Sequence, residues 1–316
     1  MKRDNKNTIL ITCGGGLIGS SLIYALQDKY NIICLDRGGA RPEFKNLFDR
    51  HVKFIKGEIT GEALLDKVAR SCSVIIHLAG GGGNQACLND PVWAVRTHIL
   101  GTDLLLKKAL KYKIKKFIFA SSQSVYTTFH KRAYPFKENM NLEPDDFYGM
   151  LKKSAEDLIK KSGINYIILR FANIYGQSDF MPLQAGGAIN NFIKSASAKK
   201  IIQIFGTGKQ GIDHVNLTDV VKAIELAVKE KGKKQIYNVG GGELAQIKKI
   251  AETIRDIFRK NYNEKIIIKN LSAPADKIWP NRLMSINKIK KDLSWEPEVS
   301  LKNGLEEMII NYRENI

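Results

Sequence analysis

The 316-residue chain is 44% hydrophobic, enough for one large domain with an appended lobe. Its four cysteines (Cys13, Cys34, Cys72, Cys87) have neither Cys-x-x-Cys spacing nor disulfide density, and its five histidines do not cluster. This excludes a disulfide scaffold, argues against a metal site, and places the chain in a reducing, cytoplasmic compartment. The formal charge of +18 comes mostly from lysines scattered in short pairs. Nucleic-acid binders more often gather arginine, lysine and aromatics on one element, so no nucleic acid is expected as partner. The lysine-rich runs at 111–116 and 229–234 read as solvated helix ends, and the positive field they create attracts anionic substrates. No apolar run reaches transmembrane length, and neither a signal peptide nor an internal repeat is visible.

The first predicted element is a buried strand at 8–12, Thr-Ile-Leu-Ile-Thr. A turn, Cys13-Gly14-Gly15-Gly16-Leu17-Ile18-Gly19, follows it and leads into a helix at 20–26. Strand, glycine turn and helix together form a dinucleotide fingerprint: the turn lets backbone approach a pyrophosphate, and the helix start offers free N–H groups and a positive dipole end. Cys13, Gly16, Leu17, Ile18 and Gly19 are therefore candidate cofactor-binding residues. A second strand at 32–35 ends at Asp36, about 20 residues past the turn, where a carboxylate accepts hydrogen bonds from the adenosine ribose. That acid repels a 2′-phosphate and favours NAD. Arg37 and Arg41 follow it closely and keep NADP as the alternative, with Arg37 beside the cofactor.

Further strands are expected at 52–55, 74–77, 116–120 and 166–169, with helices at 91–112 and 148–161. This alternation predicts a Rossmann-like α/β fold, a doubly wound parallel sheet with right-handed crossovers. Gly14, Asp36, Ala79, Ser122 and Asn173 all fall near the carboxyl ends of strands, where such sheets bind ligands. The dinucleotide-binding domain is set at 1–175 and a smaller C-terminal α/β substrate lobe at 176–316. Within the lobe a loop is expected at 182–188, helices at 189–198, 219–229 and 301–312, and strands at 201–205 and 235–239. The last of these strands returns to the main sheet.

The chemistry lies in Tyr148-Gly149-Met150-Leu151-Lys152. Residues four apart share a helix face, so the Lys152 ammonium is expected beside the Tyr148 phenol. A nearby cation lowers a phenol pKa and lets it take a proton from a substrate hydroxyl near neutral pH. Ser122, in the Ser121-Ser122 pair upstream, supplies a hydroxyl to the same oxygen. The catalytic candidates are Tyr148, Lys152 and Ser122. Alone, a Tyr-x-x-x-Lys pair is common by chance, and the other motifs give it weight.

Together these motifs resemble the extended short-chain dehydrogenase/reductase family of nucleotide-sugar epimerases and dehydratases, through nearly the whole chain. The family's first glycine motif falls on Cys13, Gly16 and Gly19. Gly57-Glu58-Ile59 is similar to its Gly-Asp-Ile strand end, which puts Glu58 and Ile59 at the adenine. His77-Leu78-Ala79-Gly80 is similar to its His-Leu-Ala-Ala strand, which adds Leu78, Ala79 and Gly80 to the cofactor residues. His98-Ile99-Leu100-Gly101-Thr102 resembles Asn-x-x-Gly-Thr, Ser121 to Tyr126 resembles Ser-Ser-x-x-Val-Tyr, and Arg170 to Gly176 resembles Arg-x-x-Asn-x-Tyr-Gly. Leu293-Ser294-Trp295-Glu296-Pro297 is similar to the closing Leu-Gly-Trp-x-Pro. The resemblance implies that Lys152 also binds the nicotinamide ribose and that Ser124 and Asn173 face the substrate. It further implies a homodimer formed by the helices ending near Tyr112 and starting near Tyr148.

The departures are informative. Cys13 replaces a glycine and must carry a Cβ through the turn, at about 1 kcal/mol if φ is positive. Gln123 and Ser124 stand where 4,6-dehydratases carry Asp-Glu, so dehydration of the sugar is rejected. Ile212 and Ala273 stand where epimerases carry arginines for the substrate diphosphate. Lys209 is the substrate-binding candidate in their stead, with Lys277 or Arg282 as alternatives. The expected function is an NAD-dependent nucleotide-sugar epimerase working by transient oxidation of a ring hydroxyl. A reductase or dehydrogenase of a keto-sugar or small alcohol is the alternative, and a non-catalytic dinucleotide sensor the weaker third.

Overall fold

The computed structural model describes residues 7–39, 51–126, 134–177, 183, 187–232, 234–272 and 281–314. In chain order the first half contains β1 (Thr8–Thr12), α1 (Leu17–Leu26), β2 (Asn31–Asp36), β3 (Val52–Lys56), α2 (Glu62–Ala69) and β4 (Val74–His77). Then come α3 (Gly83–Asn89), α4 (Pro91–Val95), a π-helical segment (Arg96–Gly101), α5 (Thr102–Lys111), β5 (Lys116–Ser122), α6 (Phe147–Lys161) and β6 (Tyr166–Phe171). The helix expected at 91–112 is thus continuous but carries an inserted π segment, a feature found often at functional sites.

The second half contains β7 (Asn173–Tyr175), α7 (Ala188–Lys199), β8 (Ile201–Phe205), β9 (Gly211–Ile212), β10 (His214–Asn216), α8 (Leu217–Lys229) and β11 (Gln235–Val239). It ends with β12 (Ala245–Gln246), α9 (Ile247–Tyr262), β13 (Ile267–Leu271), α10 (Asn287–Leu293) and α11 (Leu301–Glu314). Sequence patterning assigns no element to α2, α3, β7, β9, β10, β12, α9, β13 or α10.

Seven strands form one sheet in the order β11-β6-β5-β4-β1-β2-β3, and every neighbouring pair is parallel. Helices cover both faces, which is why Ile9–Ile11 and Phe117–Phe119 read as unbroken apolar runs and are fully buried. The chain leaves β1 toward β2 and β3, then returns to β4 on the other side. Strand order therefore reverses between β1 and β4, and a crevice opens at their carboxyl ends. Edge strand β11 comes from the second half of the chain, and Val220, Ala223 and Ile224 of α8 share a core with Leu22 and Ile23 of α1. Helices α7, α9 and α11 enclose a separate core that includes Ile193, Ile254 and Leu305.

One buried ion pair fixes α6 against the sheet. Arg170 on β6 donates from Nε to Glu156 Oε1 at 2.9 Å and from Nη2 to Oε2 at 2.7 Å. Both side chains are almost wholly buried. Ser121 on β5 donates to Oε1 at 2.6 Å and Lys160 to Oε2 at 3.1 Å. The third arginine nitrogen donates to the Tyr126 hydroxyl at 2.8 Å and to the Glu138 carbonyl at 3.1 Å. Tyr126 in turn donates to Asn238 Oδ1 at 2.7 Å. Burial alone would raise the Glu156 carboxyl, but the Arg170 hydrogen bonds and charge, with Lys160 and Ser121, outweigh it and hold it below the usual carboxylate range.

Removing one partner leaves the other charge buried and alone, so Glu156→Ala should lose about 3–5 kcal/mol of stability in urea unfolding. Because the folded carboxyl is depressed, its contribution is complete above the unfolded pKa and disappears as pH falls through the folded value. Wild-type protein should therefore lose more stability than Glu156→Ala between neutral pH and acid.

Candidate active site

The turn after β1 has the conformation that the missing glycine implied. Cys13 has φ 58°, left-handed backbone, and its N–H donates to Leu35 O at 2.8 Å. Gly19 is tied to glycine by contact: a Cβ there would lie 2.5 Å from both Cys13 O and Gly14 Cα. Helix α1 therefore starts directly against the turn, with Gly16 at its N-cap and no side chain capping it. Asp36 closes the turn from the end of β2, accepting from Gly15 N–H at 3.0 Å and Gly38 N–H at 2.8 Å.

These residues line a cavity of about 740 Å³. Cys13, Gly16, Leu17, Ile18 and Gly19 form one wall, Asp36, Arg37, Glu58 and Ile59 one end, and Leu78, Ala79 and Gly80 the opposite side. The Arg37 guanidinium lies 5.2 Å from the Trp93 ring centroid, and both residues face the cavity. Trp93 and Arg96 carry no motif, so sequence reading did not place them here. Arg41, Lys277 and Ala273 lie outside the described residues. The fingerprint turn, the uncapped helix start and the strand-end acid fit a dinucleotide: pyrophosphate at Gly16–Gly19 and adenosine ribose at Asp36.

A histidine-centred chain of hydrogen bonds shapes the opposite wall. Thr102 Oγ1 donates to His98 O at 2.6 Å, so it receives the His77 Nε2 proton at 3.0 Å. His77 Nδ1 then accepts from the Thr12 hydroxyl at 2.9 Å, and Thr12 Oγ1 accepts the N–H groups of Leu78 (3.1 Å) and Ala79 (3.2 Å). Burial, with the Lys152 charge adding to it, drives His77 down to about 3 and keeps it neutral in this role.

A second cavity, about 570 Å³, adjoins the first and shares Ile18, Leu78 and Gly80 with it. Ser122, Ser124, Tyr148, Lys152 and Asn173 all line it. Asp146 caps α6, accepting from Gly149 N–H at 2.6 Å, and Asn84 on α3 accepts from Tyr148 N–H at 3.3 Å. Lys209 is exposed in the turn after β8 and lies outside the lining of both cavities, whereas Arg282 lines the second. Gln123 Nε2 donates to Asn173 Oδ1 at 2.7 Å, so part of Asn173 is held by the residue that replaces the dehydratase acid.

The charge balance at Tyr148 differs from the sequence expectation. The Lys152 ammonium lies 5.6 Å from the Tyr148 ring centroid, but it donates to Ala120 O at 2.7 Å and packs 4.9 Å from the Phe119 ring centroid. Burial lowers its pKa to about 8. Burial likewise pushes the Tyr148 phenol above the ordinary tyrosine range; a hydrogen bond with Ser122 acts the other way but does not overcome it. Desolvation thus sets the direction, and Lys152, bonded to Ala120 O, does not counter it.

Sequence reading assigned His98 no catalytic role. Its ring meets the Tyr148 ring edge-on at 5.7 Å, and Nε2 lies 3.9 Å from Cys87 Sγ. Among the described residues its buried Nδ1 has no partner, and burial brings the imidazole down to about 2. Gly80 makes room for it: a Cβ there would lie 2.6 Å from His98 Cε1, and the backbone has φ 96°.

A dinucleotide crevice meeting a serine–tyrosine–lysine cluster at the ends of a parallel sheet defines an oxidoreductase-type α/β enzyme. The profile of the NAD dependent epimerase/dehydratase family matches residues 9–240, and the chain belongs to that family. A Methanocaldococcus jannaschii protein assigned provisionally as a UDP-glucose 4-epimerase is 31% identical, with 97% of this chain and 98% of that protein covered. The Thermotoga maritima UDP-glucose 4-epimerase crystal structure with UDP-glucose superposes at a TM-score of 0.85, with 28% identity over 98% of this chain and 99% of that one. The Bacillus cereus UDP-glucuronic acid 4-epimerase structure, in complex with UDP-glucuronic acid and NAD, gives 0.83 and 27% over 98% and 100%.

A left-handed residue other than glycine costs about 1 kcal/mol, and a β-branched one more. Cys13→Gly should therefore leave thermal stability unchanged or raise it by up to about 1 kcal/mol, while Cys13→Val should lower both the melting temperature and NAD affinity.

Proposed function

We propose that the protein is an NAD-dependent nucleotide-sugar epimerase that transiently oxidises a ring hydroxyl of its substrate. The observation that carries this reading is the convergence of Ser122, Tyr148 and Lys152 in a cavity that opens onto the dinucleotide crevice. NAD, held by the turn at Gly16–Gly19 and by Asp36, would supply the hydride acceptor and donor for the sugar carbon. Tyr148 takes the hydroxyl proton and later gives it back. Ser122 bonds the reacting oxygen as its charge changes. The Lys152 charge, turned from Ala120 O toward the phenol, would offset the desolvation that raises Tyr148.

The relatives named for UDP-glucose and UDP-glucuronate make these nucleotide sugars the first substrates to test. The Gln123–Asn173 hydrogen bond supports epimerisation over dehydration, because an amide at 123 cannot exchange a proton as a carboxyl does. Tyr148→Phe should lower turnover by about 10²–10⁴-fold while NAD still binds, measured by sugar analysis and by titration of the cofactor. Undiminished turnover would remove the proton-transfer role. Net accumulation of NADH in the wild-type protein would mark a dehydrogenase instead.

The same reading includes a homodimer. Leu88, Val92, Val95, Leu100 and Met150 are large apolar side chains exposed along α3, α4, the π segment and α6. The two sets of helices lie side by side, and a second copy would cover both in a four-helix contact. Val92, 70% exposed, is the most open of them. Val92→Glu should shift the protein from dimer to monomer in light scattering without unfolding it.

A further inference from the structure

We propose that Trp93 and Arg37 join across the mouth of the cofactor crevice and retain the adenosine end of NAD, as a strap that must part before the cofactor enters or leaves. This goes beyond the epimerase reading and holds whichever sugar reacts. The two residues come from opposite walls. Arg37 follows the last residue of β2, and Trp93 sits in the first turn of α4. Their contact, 5.2 Å from the guanidinium carbon to the ring centroid, connects the walls. Both residues line the cavity, Arg37 is exposed and Trp93 is half-buried. The contact therefore lies on the solvent side of the space that fits the dinucleotide, at the end marked by Asp36, Glu58 and Ile59.

Each half of the strap is placed by its own backbone. Pro91 opens α4 and Asp90 caps it, with Asp90 Oδ1 accepting the Trp93 N–H at 3.0 Å. That bond fixes where the indole leaves the helix, and the ring packs partly against Cys87, Ala94 and Leu151. On the other wall both Asp36 oxygens are occupied, Oδ2 by Gly15 N–H and Oδ1 by Gly38 N–H. Among the described residues the Arg37 guanidinium has no hydrogen-bond or ion-pair partner, and its contact is the Trp93 ring. Arg37 thus meets an aromatic face rather than a carboxylate, and indole is the ring that attracts a cation best. Both groups are flat, so a purine bound at this end has planar surfaces to stack on. Such a strap favours a cofactor that stays through many turnovers over one that exchanges at each.

The test is stopped-flow binding of NADH and NADPH and their displacement by excess NAD, followed by cofactor fluorescence. It compares wild-type protein with Arg37→Gln, Trp93→Ala, Trp93→Phe and the Arg37→Gln/Trp93→Ala double variant. Arg37→Gln opens the strap but leaves the ring, so it should raise the NADH association and dissociation rates together by about 2–5-fold and change the affinity by less than about twofold. Trp93→Ala should raise dissociation by about 10-fold or more and association by about 2–5-fold, and Trp93→Phe should recover part of both. With the ring gone, Arg37→Gln should change neither rate further, a coupling that independent contacts would not show. Melting temperatures equal to wild type establish that the variants are folded. If Arg37→Gln weakens NADPH and leaves the NADH rates unchanged, the arginine belongs to a 2′-phosphate and the inference is overturned. Additive effects of the two substitutions would overturn it as well, as would wild-type rates in both single variants.

Discussion

The Glu156–Arg170 pair is the constraint on which the geometry of the Ser122, Tyr148 and Lys152 cluster depends. Tyr148, Lys152 and Glu156 follow one another at four-residue spacing, so a single face of α6 carries the phenol, the ammonium and the carboxylate. Arg170 on β6 and Ser121 on β5 grip that carboxylate from the sheet. Ser121 is the residue before Ser122, so one two-pronged contact sets both the helix with Tyr148 and the strand with Ser122. A buried ion pair adds little net stability over an apolar pair of the same shape. Its value here is positional: it gives α6 one rotation and one height along the sheet.

A buried polar chain runs through the otherwise apolar strand ends of β1 and β4. Thr12, His77 and Thr102 connect three elements through hydrogen bonds with defined donors and acceptors. Their product is the orientation of the Leu78 and Ala79 amides, and through them the course of the glycine-rich loop shared by both cavities. The neutral His77 makes this possible, since a charged imidazole would turn its second nitrogen into a donor facing the Thr12 hydroxyl.

The sheet was largely legible because its strands are buried on both faces and their apolar runs are continuous. The turn at Cys13 to Gly19 and the acid at Asp36 could be read because their spacing follows from the size of a dinucleotide. The electrostatics of Tyr148 could not: sequence spacing puts Lys152 beside it, but burial, which decides the sign of the shift, depends on what packs above α6. Arg282 could be named only as one of three candidate cations, because its bridge to Ile212, seventy positions away, leaves no local signature. Helix α9 is a different case. Its buried Ile247, Ile250, Ile254, Ile257 and Phe258 repeat at helical spacing, so periodicity alone could find it, but no motif draws attention to the stretch.

The contact of Gly80 with His98 limits how this site can change. A relative's alanine at 80 cannot be introduced while the imidazole fills the space its methyl would take, and shrinking residue 98 removes only half of the obstacle, because the loop still runs at φ 96°. The two positions form a ratchet with an order: side chain first, backbone second. Grafting an alanine-bearing loop onto this chain at position 80 therefore requires changing both positions together.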